Sequence, residues 1–220
     1  MSIISVSRGS YSHGKEVAER VAERLGYECV AREILLEASK EFNIPQIKLD
    51  RIMEDTPSVI ERFTKGREKY IAYIEAAVLM HLQRDKVVYH GMAGHFFLRG
   101  ISHVLKVRVI AHTEARARVL MERDGVSRKE ALKIVEQLDL IRRKWSKQLY
   151  GIDTWDSSLY DLIINIERIG EEEAVDMICD TVESGPFRTT PESQGKIDRL
   201  VRAAQARLHE IEPSLAEPRA

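Results

Sequence analysis

The chain has 220 residues, a net charge of −1 and 31% charged residues, a composition typical of a protein with one substantial buried core. This near-neutral charge argues against a general affinity for nucleic acids or membrane surfaces, and no apolar run is long enough to span a membrane. Cys29 and Cys179 lie in apolar stretches without a metal-site spacing, which favours buried, reduced thiols. With an N-terminus that lacks a signal-peptide layout, these features predict a soluble cytoplasmic protein.

Residues 2–17 combine three patterns in the order strand, glycine loop, helix. Residues 2–6 form a short apolar run that favours a β-strand, and residues 9–15 have the spacing G-x-x-x-x-G-K. From Lys15 onward the apolar residues recur at helical spacing, at Val17, Ala18, Val21, Ala22 and Leu25. This order is the context that a phosphate-binding loop requires, and we predict such a loop here.

The chemistry of this predicted loop depends on its backbone and on one lysine. Glycines allow backbone N–H groups to turn toward an anion, and the N-terminus of the following helix adds a favourable dipole. Lys15 would bring a positive charge to the β- and γ-phosphates of a nucleotide, the alternative being a solvated lysine in a helix's first turn. The predicted nucleotide-binding residues are Gly9, Ser10, Tyr11, Ser12, His13, Gly14, Lys15, Glu16 and Val17.

Glu16 stands where such loops usually carry the Ser or Thr hydroxyl that meets Mg²⁺. Its carboxylate could bind a cation itself, cap the start of the helix, or repel a triphosphate, and the sequence leaves these alternatives open. Glu16 is the candidate metal ligand, because the histidines at positions 90, 95, 103 and 112 have the spacing of no familiar metal site.

The rest of the chain alternates predicted strands with predicted helices. Further strands are predicted at residues 27–30, 86–90, 104–111 and 162–166. Helices are predicted at residues 31–42, 45–53, 58–84, 113–124, 127–149 and 171–182, with Thr113 and Ser127 as caps. Because parallel strands need crossover connections, this alternation predicts a doubly wound parallel sheet with a ligand crevice beyond the carboxyl ends of its strands.

The C-terminal part of the chain is predicted to leave the main domain at residue 184. Residues 185–195 are typical of a linker, residues 196–212 predict an amphipathic helix, and residues 213–220 are expected to be disordered. The apolar face of that helix would pack on its own domain, on a partner chain (a second copy in a homodimer included), or on a truncated second domain.

Several stretches together carry a resemblance to a known family. They are ISVSRGSYSHGKEVAERVAERLGY at the N-terminus, Arg32-Glu33-Ile34, the Gly91 turn, HTEARARVLMERDGVSRKEALKIVEQLD, and the run from Asp139 to Arg143. Over about residues 1–183 the chain resembles the cytidylate kinase-like proteins, a branch of the nucleoside monophosphate kinases. The resemblance implies an α/β, three-layer P-loop kinase fold in residues 1–184, with a five-stranded parallel sheet, helices on both faces and a helical lid at about residues 114–150.

The same resemblance implies phosphoryl transfer from ATP to a nucleoside monophosphate, assisted by Mg²⁺. Lys15 and the loop amides would hold the donor phosphates, and an Asp-x-x-Arg pair, Asp139 and Arg142, would hold acceptor and phosphates. The implied catalytic residues are Lys15, Arg116, Asp139, Arg142 and Arg143, with Arg118 also facing the crevice. The alternative for the arginines is a solvated face of the lid helices.

The implied acceptor site departs from the family pattern. Where cytidylate kinases show Asp-Gly-Arg-Asp after the third strand, this chain has His90-Gly91-Met92-Ala93, and Ala31 replaces an Asp at the end of the second strand. The candidate acceptor-binding residues are Arg32, His90, Gly91, Met92, Asp139 and Arg142. These departures leave the acceptor open, although His90 could replace an acidic residue as base or phosphate donor.

Two hypotheses from different classes therefore stand. The first is an active ATP-dependent kinase acting on a small nucleotide acceptor, with a small-metabolite kinase as a minor variant. The second is a catalytically weak nucleotide-binding sensor, a pseudokinase, that acts through its C-terminal helix. Neither hypothesis predicts a nucleic acid or membrane partner.

Overall fold

Five short runs rich in β-branched residues form the strands of one parallel sheet in the computed structural model of the protein. The structure describes residues 2–31, 34, 67–91 and 94–211. The strands are β1 Ile3–Arg8, β2 Glu28–Val30, β3 Val87–Tyr89, β4 Val104–Ile110 and β5 Leu162–Asn165. They lie in the order β2-β3-β1-β4-β5 with parallel neighbours throughout, which confirms the predicted five-stranded parallel sheet.

Helices connect these strands, and glycines end several of them. The described helices are α1 Gly14–Leu25, α2 Arg67–Leu82, α3 Gly94–Phe97, α4 Thr113–Asp124, α5 Arg128–Tyr150, α6 Ile166–Ile169, α7 Glu171–Glu183 and α8 Pro191–Ile211. Gly125 and Gly151 close α4 and α5 in the left-handed region, with φ of 69° and 68°. The helix predicted at residues 58–84 is described from residue 67 onward, as α2, and its first part lies outside the described residues. The helix predicted at residues 45–53 also lies outside them, as does the one at 31–42 apart from Ala31 and Ile34.

The two predicted helix caps have different outcomes. Ser127 caps α5 as expected, since its hydroxyl accepts a hydrogen bond from the Glu130 amide at 3.3 Å. Thr113 is instead the first residue of α4, and the cap position falls on His112, whose extended backbone precedes the helix. The Thr113 prediction was therefore wrong by one residue.

Helices cover both faces of the sheet, because successive strand residues point to opposite sides. In β1, Ile3 packs on one face with α2 and α8, whereas Ile4 and Val6 pack on the other face with α1 and α7. Each fully buried aliphatic side chain of this kind contributes roughly 1.5–3 kcal/mol. The resulting three-layer α/β arrangement agrees with the predicted fold class.

The C-terminal helix α8 packs on its own domain. Its apolar stripe is buried against α2, and Asp198 accepts a hydrogen bond from Gln83 at 2.7 Å; the buried stripe comprises Ile197, Val201, Ala204 and Leu208. The helix begins at Pro191, five residues before the predicted start, because Thr190 and Ser193 form reciprocal hydrogen bonds of a capping box at 3.0 and 3.1 Å. The predicted linker at 185–195 is therefore shorter than expected.

The two cysteines differ in exposure. Cys179 is buried in α7, where desolvation raises the pKa of its thiol, whereas Cys29 is exposed. The prediction of a buried thiol was wrong for Cys29 because β2 is the edge strand and only Val30 of that strand is buried. Among the described helices, none combines the length and apolar character that a membrane crossing needs.

Candidate functional site

The loop between β1 and α1 turns sharply at the carboxyl edge of the sheet. Tyr11 and His13 adopt left-handed conformations with φ of 58° and 52°, and the first helical hydrogen bond joins the Val17 amide to the His13 carbonyl at 3.0 Å. Gly14 lies against the end of β1, since a Cβ at this position would stand 2.6 Å from Cβ of Arg8. Gly14, the second glycine of the predicted motif, is therefore required by close packing.

A cavity of about 300 Å³ opens at the tip of α1. The loop and the first turn of α1 form one wall, and side chains from α4 and α5 form the other. Its lining residues are Arg8, Ser10, Tyr11, Ser12, His13, Gly14, Lys15, Glu16, Val119, Arg123, Leu138 and Arg142. Three arginines, a lysine and a histidine face a single carboxylate in this lining, so the cavity suits an anion.

The backbone of the loop offers hydrogen-bond donors to this cavity. Across the part of the chain that the structure describes, the amides of Ser10, Tyr11 and residues 13–16 donate to no protein acceptor, and the buried hydroxyl of Ser10 also has no partner. Buried polar groups are nearly always hydrogen-bonded, so a cluster of such donors fits an external acceptor with several oxygens. The helix dipole of α1 favours negative charge at the same place.

Lys15 and its neighbours occupy different positions around this cavity. The ammonium group of Lys15 is half-exposed and lies 3.5 Å from Glu19, one helical turn away. His13 is held by a contact of 3.0 Å between its Nδ1 and Glu171 of α7. Val17 belongs to the predicted nucleotide-binding set, and its side chain is buried in the core against the sheet, because it is part of the apolar stripe of α1.

Arg116 and Asp139 lie behind the loop and do not line the cavity. The buried guanidinium of Arg116 donates from Nε to the Ser10 carbonyl at 2.6 Å, and from Nη1 and Nη2 to the Asp139 carboxylate at 2.7 and 2.6 Å. The structure thus brings these two predicted residues together as an ion pair in contact with the loop.

The adjacent arginines of α5 point in different directions. Arg142 lines the cavity, as the phosphate role implied by the sequence requires. Arg143 turns away, pairs with Asp153 at 2.6 Å and stacks 4.7 Å from the ring centre of Trp155. Hydrogen bonds from Arg143 and Lys147 hold the pKa of Asp153 well below its ordinary value. The exposed Arg118 likewise contacts Glu167 of α6, at 3.3 Å.

The predicted acceptor-side residues are only partly described. His90 is buried at the end of β3, where its amide donates to the Val30 carbonyl at 3.0 Å. Gly91 packs against the buried Tyr89 ring, since a Cβ on Gly91 would lie 2.1 Å from the Tyr89 hydroxyl. Arg32 and Met92 lie outside the described residues.

Glu16, the candidate metal ligand, faces the cavity as its single carboxylate. No group of three or more His, Cys, Asp or Glu side chains in the described ranges is arranged to hold a metal ion. A Mg²⁺ ion at this site would therefore need oxygens from a bound phosphate, which is the usual mode for this cation.

The two charged lining residues that the sequence did not predict are Arg8 and Arg123. Arg123 stacks 4.8 Å from the ring centre of Tyr11, donates to the Tyr11 hydroxyl at 3.3 Å, and pairs with Asp124. A signal for Arg123 was present, because it lies seven residues after Arg116 and thus on the same face of α4. Arg8 interrupts the apolar alternation of β1 directly before the first glycine, which was the corresponding signal.

The chain is similar in sequence and in fold to known proteins. The chain is 27% identical over 171 residues to the cytidylate kinase of Methanopyrus kandleri, covering 74% of this chain and 83% of the relative. It is 29% identical over 171 residues to the cytidylate kinase of Pyrococcus horikoshii, covering 77% and 82%. A crystal structure of an uncharacterized protein from Eubacterium ventriosum shares the fold, with a TM-score of 0.65, 21% identity, and coverage of 83% of this chain and 98% of that one. A family model matches residues 3–168, and the chain belongs to the cytidylate kinase-like family.

Proposed function

We propose that this chain is a nucleotide kinase that transfers the γ-phosphoryl group of ATP to a nucleoside monophosphate. The observation that carries the proposal is the set of amides of Ser10, Tyr11 and residues 13–16, together with the Ser10 hydroxyl, which meet no protein acceptor in the described chain and border a basic cavity. Such a donor set matches the closely spaced oxygens of a polyphosphate.

Several groups of the cavity have a role in this proposed reaction. The loop amides and the Ser10 hydroxyl bind and orient the donor phosphates, while Lys15 and Arg142 neutralise negative charge from opposite walls. Glu16 would share a Mg²⁺ ion with the phosphate oxygens. ATP supplies the transferred group, and Mg²⁺ lowers the cost of bringing charged oxygens together. Positioning and charge neutralisation are what phosphoryl transfer mainly asks of a protein.

The acceptor is proposed to be a nucleoside monophosphate, with CMP the first to test. The support for CMP is that the relatives from Methanopyrus kandleri and Pyrococcus horikoshii are cytidylate kinases. The sequence His90-Gly91-Met92-Ala93 replaces the acceptor motif of the family, so other monophosphates belong in the same panel. We propose His90 and Arg142 as the first residues to substitute when the acceptor has been found.

The test is turnover of a panel of nucleoside monophosphates with ATP and Mg²⁺, comparing the wild-type chain with Lys15→Ala. We expect turnover that falls at least tenfold in Lys15→Ala, because a charge beside the phosphates is removed. Lys196→Ala is a matched control, since Lys196 also pairs with a glutamate one turn away, at 3.0 Å, on the exposed side of α8. This control should retain wild-type turnover.

The turnover assay, together with a calorimetric titration of ATP, separates the proposed kinase from the nucleotide-binding sensor. Lys15-dependent turnover of any acceptor supports the kinase. ATP binding in a calorimetric titration without turnover of any acceptor would favour the sensor, and absence of ATP binding would overturn both.

A further inference from the structure

The phosphate loop, residues 9–13, is held from behind by one buried guanidinium. Arg116 projects from α4, and its Nε donates to the Ser10 carbonyl at 2.6 Å. The guanidinium also lies against the start of the loop, because a Cβ on Gly9 would be 3.2 Å from Cζ of Arg116. A larger residue than glycine at position 9 would therefore press on this contact.

This contact has a consequence for the direction of the loop amides. The C=O of one residue and the N–H of the next belong to one planar peptide unit and point in opposite directions. Holding the Ser10 carbonyl toward Arg116 therefore turns the Tyr11 amide away from Arg116. In the same way, the Ser12 hydroxyl donates to the Gly9 carbonyl at 2.9 Å. This bond turns the Ser10 amide away from the Ser12 hydroxyl. Both amides belong to the unpartnered donor set of the cavity.

Asp139 fixes the guanidinium in this position from a second helix. Its two carboxylate oxygens accept from Nη2 and Nη1 of Arg116 at 2.6 and 2.7 Å, a bidentate geometry that sets the plane of the guanidinium. The pair crosses the interface between α4 and α5, whose small apolar core comprises Ala117, Leu120, Ala131 and Val135. The position of α5 is thus linked to the shape of the loop.

We infer that Arg116 and Asp139 are positioning residues that hold the phosphate loop in its anion-binding shape before the donor binds. Asp139 acts on the donor site through Arg116. This role differs from the direct contact with acceptor and phosphates that the family resemblance implies for Asp139. The inference rests on the proposed function, because the donor it concerns is ATP.

The first experiment measures ATP affinity by calorimetry, without acceptor, for the wild-type chain, Arg116→Lys and Asp139→Asn. We expect about a tenfold loss of affinity in each variant and no further loss when the two are combined, because both substitutions disturb one contact. Glu114→Gln is the matched control. It removes the exposed pair of Glu114 with Arg128, which joins the same two helices without reaching the loop, and should leave affinity unchanged.

Turnover kinetics give the second readout. Asp139→Asn should raise the KM for ATP and leave the KM for the acceptor unchanged. A rise confined to the acceptor KM would overturn the inference, as would wild-type ATP affinity in both single variants. Failure of the wild-type chain to bind ATP would overturn the proposed function and this inference with it.

A double variant separates positioning from fold stability. Replacing a buried ion pair by apolar residues of similar size is often neutral for stability, so Arg116→Met with Asp139→Leu should keep a melting temperature near that of the wild type. We expect ATP affinity to remain about tenfold weaker in this variant, because the Ser10 carbonyl has lost its donor. Wild-type affinity in the stable double variant would assign the pair a structural role only and overturn the inference.

Discussion

At the scale of single residues, the site depends on places where backbone and side chain approach closely. Gly14 lies against Arg8, and Gly91 lies against the Tyr89 ring, at distances that no Cβ atom can occupy. Gly14 thus has two functions, because it allows the chain to pass Arg8 and leaves the amides around it free of a side chain. These two positions are therefore sensitive to the addition of a single methyl group.

Gly14→Ala should weaken ATP binding at least tenfold and lower the free energy of unfolding by about 1–3 kcal/mol, because the new Cβ would stand 2.6 Å from Cβ of Arg8. Gly195→Ala is the control. This glycine lies inside α8, and among the described residues its added Cβ would meet only Arg199, at 3.7 Å. The control should gain up to about 1 kcal/mol and keep its ATP affinity. Calorimetry and chemical denaturation check both variants, and wild-type ATP affinity in Gly14→Ala would contradict the argument.

At the scale of secondary-structure elements, periodicity predicted type better than boundaries. The sequence predicted all five strands because they are short apolar runs bounded by polar or turn residues, and their edges shifted by only one or two positions. The start of α8 was missed because the pattern Thr-Thr-Pro-Glu-Ser is typical of a linker as well as of a helix cap. Reciprocal bonds between Thr190 and Ser193 decide between these two readings, and composition does not show them.

This cap gives a prediction for α8. Thr190→Ala removes the hydroxyl that accepts from the Ser193 amide at 3.1 Å, and it should lower the free energy of unfolding by about 1 kcal/mol. Thr190→Ser keeps the hydroxyl, so its free energy of unfolding should fall by no more than about half of that amount. ATP affinity should not change in either variant, because α8 and α1 cover opposite faces of the sheet. Equal stability of Thr190→Ala and the wild type, in chemical denaturation, would show that the cap contributes nothing.

At the scale of the whole molecule, the fold was more predictable than the site. The order of strand, loop and helix predicted the loop that borders the cavity, because that geometry is local in the sequence. The pairing of Arg116 with Asp139 was not predictable from spacing, since the two residues are 23 positions apart on different helices. Arg142 and Arg143 are neighbours in sequence, yet only Arg142 lines the cavity, because helical geometry turns adjacent side chains by about 100°.

A polar network centred on the Tyr160 hydroxyl joins distant parts of the chain. His95 of α3 contacts the Tyr160 hydroxyl at 3.3 Å, and that hydroxyl also contacts Ser7 of β1 at 3.2 Å and donates to the Thr154 carbonyl at 3.0 Å. Burial, followed by the positive charge of Arg108, lowers the pKa of His95 to about 3. The imidazole is therefore neutral in the folded protein across the physiological pH range.

The lowered pKa of His95 determines whether the stability of the fold rises or falls with pH. In the unfolded chain His95 takes up a proton as the pH falls below about 6.5, whereas the folded protein does not until the pH approaches about 3. The unfolded state therefore binds more protons in this window, so stability decreases as the pH falls. Between pH 7 and pH 5 the contribution of His95 should be a loss of about 2 kcal/mol.

His95→Gln tests this contribution, because glutamine keeps a hydrogen-bonding side chain and does not titrate. Chemical denaturation at pH 7 and pH 5 should show a loss of stability that is about 2 kcal/mol smaller in His95→Gln than in the wild type. His209→Gln is the control, since His209 is exposed near the end of α8 and should leave the wild-type pH dependence intact. If His95→Gln and the wild type lost the same stability between pH 7 and pH 5, His95 would not contribute to the pH dependence of the free energy of unfolding.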